Sequence, residues 1–229
     1  MSEQLFFDLF EAKPFSASGF LRAECNRDAF AQVTTIRWPA LHGVLAGPEG
    51  SGKTHLAHIW ADATGAKVYS IEDSLSFSEQ SIIKHGIVID NMDRLKGRRD
   101  LQAALFHLHN AALRHEQPIL FVGRGTLSGW KIELPDLQTR LSALAPFYLY
   151  RPDDVLLMQV LGSLFVERGL FPPASVVQYI VTRMPRSLTR AHEIVAYLDT
   201  VSLTQKKPLT VPFAAKLLKS WFNTPHSTP

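Results

Sequence analysis

The stretch GPEGSGKTHLAHIW, Gly47 to Trp60, contains a glycine, four residues and then Gly52, Lys53 and Thr54. This spacing is that of a phosphate-binding P-loop. Glycines let backbone N–H groups turn toward phosphate oxygens, at the positive N-terminal end of the helix that follows. Lys53 would neutralise the outer phosphates, and Thr54 would offer a hydroxyl to Mg²⁺. The stretch therefore predicts a strand, a phosphate loop and a helix in that order.

A P-loop needs a carboxylate at the end of a neighbouring strand, and GIVIDNMD, residues 86–93, supplies one in Asp90. We interpret Asp90 as a Mg²⁺-orienting group together with Thr54; a plain strand-end cap is the alternative. Asn91 follows directly, and an amide cannot accept a proton from water at neutral pH. Asp93 is a weak substitute for a general base. The pattern favours nucleotide binding over rapid turnover.

After residue 39, short apolar runs alternate with longer segments of helical spacing. Such alternation is typical of an α/β domain with buried parallel strands. From Asp153 onward the spacing is helical only, with stop and start signals such as Gly169 and Pro212. We predict an α/β domain with a five-stranded parallel sheet over residues 11–151 and a small all-helical domain over residues 152–229. The predicted strands are Gly43–Ala46, Val68–Ile71, Ile87–Ile89, Ile119–Val122 and Phe147–Tyr150.

Composition excludes several protein classes. A hydrophobic fraction of 46% with 20% charged residues is that of a globular chain. The single Cys25 excludes an internal disulfide framework and fits a reducing compartment. Glu3 and Asp8 stand where an export signal would be positive, and no run reaches the roughly 18 apolar residues of a membrane span. We expect a cytoplasmic protein without a membrane partner.

The order of motifs resembles the AAA+ fold: a P-loop, a strand ending in Asp, an arginine before the last strand, then a helical lid. LPDLQTRL, residues 134–141, is similar to the arginine-finger segment of the DnaA replication-initiator family, with Arg140 at the finger position. PRSLTRAHEIV, residues 185–195, is similar to that family's lid motif, with Arg186 at its second sensor arginine. IDNMD, residues 89–93, is similar to the corresponding strand of the short DnaA homologues of the Hda type.

The resemblance implies a site for ADP or ATP with Mg²⁺, in which the nucleotide fixes the lid. It also implies that Arg140 acts in trans on nucleotide held by DnaA. An apolar Val122 and a basic Arg124 stand at the end of the fourth strand, where the family usually carries a polar or acidic sensor. The implied nucleotide contacts are Gly47, Pro48, Glu49, Gly50, Ser51, Gly52, Lys53, Thr54, Asp90 and Arg186.

The N-terminal stretch QLFFDLF, residues 4–10, is apolar on every face. Hda-like proteins begin with a peptide that docks on the DNA polymerase sliding clamp, and this stretch fits its form: Gln, Leu, any residue, apolar, any residue, Leu. An extended arm of this kind inserts apolar anchors into a preformed pocket; the alternative is a terminal segment packed on its own core. The implied clamp contacts are Gln4, Leu5, Phe7, Leu9 and Phe10.

These features together predict a regulator that docks on the clamp, promotes hydrolysis of DnaA-bound ATP and so restrains replication initiation. The alternatives are a self-hydrolysing AAA+ ATPase that acts as a loader or remodeller, and a small-molecule P-loop kinase. The chain lacks the helix-turn-helix by which DnaA reads its sites, so we expect no sequence-specific DNA binding. Homo-oligomerisation and association with the nucleoid through the replisome are further expectations.

Two other groups of residues are not expected to form functional sites. Arg94, Lys96, Arg98 and Arg99 form a basic cluster more typical of a solvated loop than of a DNA contact. His107 and His109 stand two apart and point to different sides of a helix, which does not favour a metal site.

Overall fold

The computed structural model describes residues 17–35, 38, 40–77 and 85–223. The predicted clamp-binding residues 4–10 lie outside this part of the chain. The fold divides into two compact units, Met1–Tyr150 and Arg151–Pro229, and the predicted boundary lay one residue later.

The first unit alternates strands and helices as the sequence predicts. Short 3-10 turns at Ala17–Gly19, Ile71–Ser76, Met92–Leu95 and Leu127–Trp130 complete it. The main elements are α1 (Glu24–Val33), β1 (Gly43–Gly47), α2 (Lys53–Thr64), β2 (Lys67–Ser70), β3 (Ile87–Asp90), α3 (Arg99–Arg114), β4 (Ile119–Arg124), α4 (Pro135–Ser142) and β5 (Pro146–Tyr148).

The five strands form one parallel sheet in the order β2-β3-β4-β1-β5. Alternate residues of each strand enter two separate apolar clusters, one on each face of the sheet. In β1, Val44 and Ala46 pack with residues of α3, whereas Leu45 packs with residues of α2. Burial on both faces explains why the strands read as continuous apolar runs. The predicted α/β class with a five-stranded parallel sheet is confirmed.

Two predicted strands are displaced by one or two residues. Ile71 opens a 3-10 turn instead of ending β2. The sequence predicts a last strand over Phe147–Tyr150, but β5 ends at Tyr148. The Leu149 N–H nevertheless donates to the Ala46 carbonyl at 2.9 Å, so the backbone of this segment stays joined to β1. Apolar character extends beyond the ladder because Leu149 is itself buried.

The second unit, as far as residue 223, is helical throughout: α5 (Asp154–Glu167), α6 (Ala174–Val181), α7 (Leu188–Gln205) and α8 (Val211–Asn223). Asp153 caps α5 by accepting a hydrogen bond from the Leu156 N–H at 2.8 Å. Gly169, with φ of 67°, follows the end of α5. The four helices enclose a core of their own, so the predicted helical lid is confirmed. Among the described residues, no helix has the length and apolar character that a bilayer crossing requires.

Candidate functional site

The P-loop connects β1 to α2 through glycines in left-handed conformations. Gly47, Gly50 and Gly52 have φ values of 153°, 68° and 94°. A Cβ on Gly47 would lie 2.4 Å from the carbonyl oxygen of Leu149, so no larger residue fits there without moving the backbone. Gly52 is the residue from which α2 begins, and its left-handed φ disfavours a side chain. The loop therefore brings backbone close to the N-terminus of α2, as a phosphate site requires.

Lys53 lies inside this loop. Its side chain is buried, and its Nζ donates to the Pro48 carbonyl at 2.7 Å. The Ser51 hydroxyl donates to the same carbonyl at 2.9 Å. Burial lowers the pKa of the Lys53 ammonium, the charge of Asp90 opposes that shift, and the charge of Arg124 adds to it. Burial outweighs the charges of Asp90, Asp93 and Glu49 in setting this pKa, so an anionic ligand beside the ammonium would be favourable.

Thr54 and Asp90 meet across the site. The Thr54 hydroxyl donates to Asp90 Oδ2 at 3.0 Å, and Oδ1 of the same carboxylate accepts the Asn91 N–H at 2.7 Å. One hydroxyl beside one carboxylate is a donor set that suits Mg²⁺ bound together with substrate phosphates. The described ranges contain no group of three or more His, Cys, Asp or Glu side chains placed for a metal. The two residues thus fit a Mg²⁺ that arrives with a nucleotide.

The positions after Asp90 offer no free general base. Asn91 adopts a left-handed φ of 64°, and its Nδ2 donates to the Ser70 hydroxyl at 3.3 Å. Asp93 Oδ1 accepts the backbone N–H of Arg124 at 2.9 Å, so this carboxylate connects the segment after β3 to the end of β4. Asn91 is an amide and cannot act as a base, and one oxygen of the Asp93 carboxylate is engaged by a backbone N–H.

Arg124 is a site residue whose position the sequence does not reveal. Its Nη1 lies 3.3 Å from Glu49 Oε2, so an ion pair joins the end of β4 to the P-loop. The two residues meet because β4 lies beside β1, with Gly47 opposite Arg124 in the register. The motif order indicated a cation at the end of the fourth strand, but not which strand borders it.

Arg140 lies in the last turn of α4 and is exposed. Its guanidinium lies 5.5 Å from the centre of the Phe106 ring, and within the described part of the chain it forms no ion pair. An exposed arginine without a carboxylate partner is available to an anion on another molecule.

Arg186 belongs to the second unit and precedes Ser187, the N-cap of α7. It forms an ion pair with Asp154, the first residue of α5. Its predicted contact with nucleotide stays a prediction.

The basic cluster after β3 is largely neutralised. Arg94 pairs with Glu72 at 3.0 Å, and Arg98 pairs with Asp100 at 2.7 Å. Arg99 lies 3.7 Å from Glu133. These pairs are those of a solvated surface, as the sequence indicates. His107 is exposed while His109 is buried, which agrees with their predicted divergence on α3.

Comparisons with known proteins fit this arrangement. Residues 155–218 match the family described as Hda, lid domain. An uncharacterized protein of Haemophilus influenzae is 24% identical over 186 residues, 75% of this chain and 79% of its own length. Domain III of the Thermotoga maritima replication initiation protein DnaA superposes with a TM-score of 0.80 at 18% identity, over 93% of this chain and 98% of that chain.

Two further solved structures share the fold. A replication initiator DnaA bound to AMPPCP and single-stranded DNA has a TM-score of 0.70 at 15% identity, over 86% of this chain and 69% of that chain. The Thermotoga maritima RuvB Holliday junction branch migration motor has a TM-score of 0.69 at 20% identity, over 90% and 72%. At these identities the structural similarities show the fold alone. The match to the lid domain gives family information for residues 155–218. Residues 155–218 therefore match the Hda lid domain, and the chain shares the fold of DnaA domain III.

Proposed function

We propose that this protein is an adenine-nucleotide-binding regulator that docks on the sliding clamp and promotes hydrolysis of ATP held by DnaA. Residues 47–54 with Asp90 bind ADP or ATP with Mg²⁺ in this account. Residues 4–10 engage the clamp. Arg140 enters the nucleotide site of DnaA and stabilises the charge that develops on the transferred phosphoryl group. The result is a negative control of replication initiation.

The observation that carries the proposal is the state of Arg140. Arg94 and Arg98 pair with carboxylates, and their guanidinium groups are thereby occupied. Arg140 instead lies against an aromatic ring with its guanidinium exposed. Arg183 is as open as Arg140, so what distinguishes Arg140 is its place in LPDLQTRL, the segment similar to the arginine-finger segment of the DnaA family. Support for a trans role also comes from the site itself, in which an amide, Asn91, follows Asp90 and one oxygen of Asp93 accepts a backbone N–H.

The catalytic part of the proposal is tested by replacing Arg140 with alanine. Arg183→Ala is the matched control, because Arg183 is also exposed and also lies over a ring, 3.8 Å from the centre of Tyr179. ATP hydrolysis by DnaA is measured with the variant and the DNA-loaded clamp. We expect a loss of at least about 10³-fold in stimulation for Arg140→Ala, as for other arginine fingers, and no change for Arg183→Ala. Equal stimulation by both variants would show that Arg140 does not act as an arginine finger.

The docking part is tested by calorimetric binding of the full-length chain to the clamp. Alanine at Gln4 and Leu9 removes two fixed positions of the peptide pattern. Alanine at Phe6 and Asp8 removes its two variable positions and is the matched control. We expect the first variant to lose binding and the second to keep it. Loss in both, or in neither, would contradict recognition through the pattern.

A self-hydrolysing loader or remodeller is the second candidate. Lys53, Thr54 and Asp90 favour it, since they form the phosphate and metal apparatus that such an ATPase needs. Steady-state phosphate release by the isolated protein decides between the two. If the isolated protein releases phosphate faster than DnaA does in the presence of this protein and the clamp, the result favours the self-hydrolysing ATPase.

A further inference from the structure

A groove lies between α6 and α8 of the second unit, with a volume of about 370 Å³. That volume is at the lower end of the range of ligand sites in proteins. Tyr179 and Arg183, four residues apart, line one side of the groove. The other side is one face of α8, since its lining residues are spaced by three and four positions: Ala215, Leu218, Lys219 and Phe222.

Apart from Lys219, the α8 side of the groove is apolar. Leu218 is 2% exposed and belongs to the core of the second unit, whereas Phe222 is 44% exposed. The centre of the Phe222 ring lies 5.1 Å from that of Trp221, in an edge-on arrangement, so the exposed ring is packed against its neighbour. An aromatic ring beside an apolar surface is a common anchor point of protein interfaces. This side of the groove can therefore receive an apolar side chain of another molecule.

Two cations, Arg183 and Lys219, line the same groove. Within the described ranges neither of them forms an ion pair, whereas Arg190 of the same unit pairs with a carboxylate three residues on. Residues 174–186 and 206–223, which include both sides of the groove, contain arginines and lysines but no aspartate or glutamate. The helices that form the groove therefore do not neutralise its positive charge, and carboxylates of a partner would complement it.

The Arg183 side chain is held in a defined position. Its Cζ lies 3.8 Å from the centre of the Tyr179 ring, and its Nη1 donates to the Thr182 hydroxyl at 2.8 Å and to the Tyr179 carbonyl at 3.3 Å. All its described hydrogen bonds involve Nη1, so Nε and Nη2 keep N–H groups for a ligand. A guanidinium that is already stacked on a ring loses less conformational freedom when a carboxylate binds to it.

The charge and the size of the groove favour one class of occupant. A nucleic-acid backbone requires a row of cations that follows its phosphates, and only two cations are found among the described residues that line this groove. Residues 224–229, TPHSTP, follow α8 directly, but they contain neither an acidic side chain nor a large apolar one. An acidic peptide with an apolar anchor matches both the apolar side of the groove and its cations.

We propose that the groove between α6 and α8 is a docking site for a short acidic segment of another protein. The segment places a leucine or an aromatic side chain against Leu218 and Phe222, and its carboxylates against Arg183 and Lys219. This inference is independent of the proposed function, because neither the P-loop nor residues 4–10 enter it. Hydrolysis of ATP by DnaA with the clamp and this protein alone involves no occupant of the groove, so Arg183→Ala stays a valid control in that assay.

A peptide library tests this proposal. Random dodecapeptides displayed on phage are selected on the full-length protein, and the selected sequences are made as fluorescent peptides for anisotropy titrations. We expect selection of peptides in which aspartate and glutamate flank a leucine or an aromatic residue. The double variant Arg183→Gln, Lys219→Gln should bind them about tenfold more weakly, because two exposed charge pairs are lost. Phe222→Ala should also weaken binding by about tenfold, through loss of the apolar anchor contact.

The double variant Lys206→Gln, Lys207→Gln is the matched control, because it removes the same charge from two exposed lysines of the second unit that do not line the groove. It should change the affinity by less than about twofold. Thermal unfolding checks that each variant keeps the wild-type fold. The glutamine variants change exposed side chains only, so their comparison holds even if Phe222→Ala unfolds.

Three results would overturn the proposal. The first is a library that yields no acidic sequence, or acidic sequences that bind the Arg183→Gln, Lys219→Gln variant as tightly as the wild type. The second is a fluorescent oligothymidine whose binding depends on Arg183 and Lys219 while that of the peptides does not, which would make the groove a nucleic-acid contact. The third is peptide binding only by a variant that ends at Asn223, which would make residues 224–229 the occupant of the groove.

Discussion

Replacing Gly123 with alanine should destabilise the first unit, because the side chain of Trp130 occupies the space that a Cβ would need. A Cβ on Gly123 would lie 2.7 Å from Cε2 and Cζ2 of the indole and 2.8 Å from its Nε1. Trp130 is fully buried, and its Nε1–H donates to the Arg124 carbonyl at 2.8 Å. The indole ring cannot move away from the added methyl group without losing this hydrogen bond or displacing the turn that contains Trp130.

The cost combines two effects. Forcing one extra carbon into a packed core costs about 1–3 kcal/mol. Weakening the indole hydrogen bond adds about 1 kcal/mol or more, since the buried N–H then lacks its acceptor. We therefore expect Gly123→Ala to lower the free energy of unfolding by about 2–4 kcal/mol. For a chain of this size that corresponds to a fall in Tm of roughly 5–15 °C.

The assay is thermal unfolding of the full-length chain, with the ¹⁵N–¹H resonance of the Trp130 indole as a local readout. Gly129→Ala is the matched control, because its added Cβ would meet only Thr126 Oγ1 at 3.5 Å, an ordinary contact. The control should change the free energy of unfolding by less than about 0.5 kcal/mol. A Gly123→Ala variant with wild-type Tm and an unshifted Trp130 indole resonance would refute the packing argument.

Three further predictions follow from single contacts. Burial lowers the pKa of His42 to about 3 and that of His109 to about 4, so both rings stay neutral in the folded protein well below pH 6.5. Their contribution to the free energy of unfolding is fully present above pH 6.5. It falls by about 1.4 kcal/mol per pH unit for each ring as the pH drops from 6.5 toward the pKa of that ring in the folded protein. Urea unfolding midpoints at pH 7 and pH 5 measure this loss. Asp153→Ala should cost about 1 kcal/mol in the second unit through loss of the helix cap, which urea unfolding followed by circular dichroism measures. Phe106→Ala should reduce stimulation of DnaA by roughly two- to fivefold, since the ring holds the Arg140 guanidinium by a contact of about 0.5–1 kcal/mol; the single-turnover rate measures it.

Each of these predictions has its own control. His42→Gln can keep an acceptor for the Ile119 N–H, which now donates to His42 Nδ1 at 3.1 Å, and should flatten the pH dependence; an unchanged slope would mean that other groups cause it. Asp153→Asn should keep most of the stabilisation from the helix cap. If Asp153→Asn loses as much stability as Asp153→Ala, the charge of Asp153 stabilises the helix and the hydrogen bond does not. Phe106→Tyr should restore stimulation, and a failure to restore it would make Phe106 a packing residue only.

The fold could be predicted largely from the sequence because its signals are local. The P-loop spacing identifies one strand, loop and helix, and the strand ending in Asp90 identifies another. Apolar runs without alternation indicate strands buried on both faces, which the two apolar clusters confirm. The ends of strands are less well determined, as at Leu149, because burial continues where the ladder has stopped.

The missed features depend on which strands are neighbours. Glu49 and Arg124 are far apart in the chain and meet only because β4 borders β1. His42 and His109 likewise meet, with ring centres 4.7 Å apart, because the start of β1 packs beside α3. Hydrophobic periodicity indicates that a residue is buried, but it does not say against which element.

A radioactive label on one of the two nucleotides shows whether this protein acts on nucleotide held by DnaA or on its own. DnaA is loaded with γ-labelled ATP and mixed with the nucleotide-bound protein and the DNA-loaded clamp; in a parallel reaction, only this protein carries the label. We expect rapid release of phosphate from the label on DnaA, abolished by Arg140→Ala, and slow release from the label on this protein. Rapid release from its own label, insensitive to Arg140→Ala, would contradict the account and favour a self-hydrolysing ATPase.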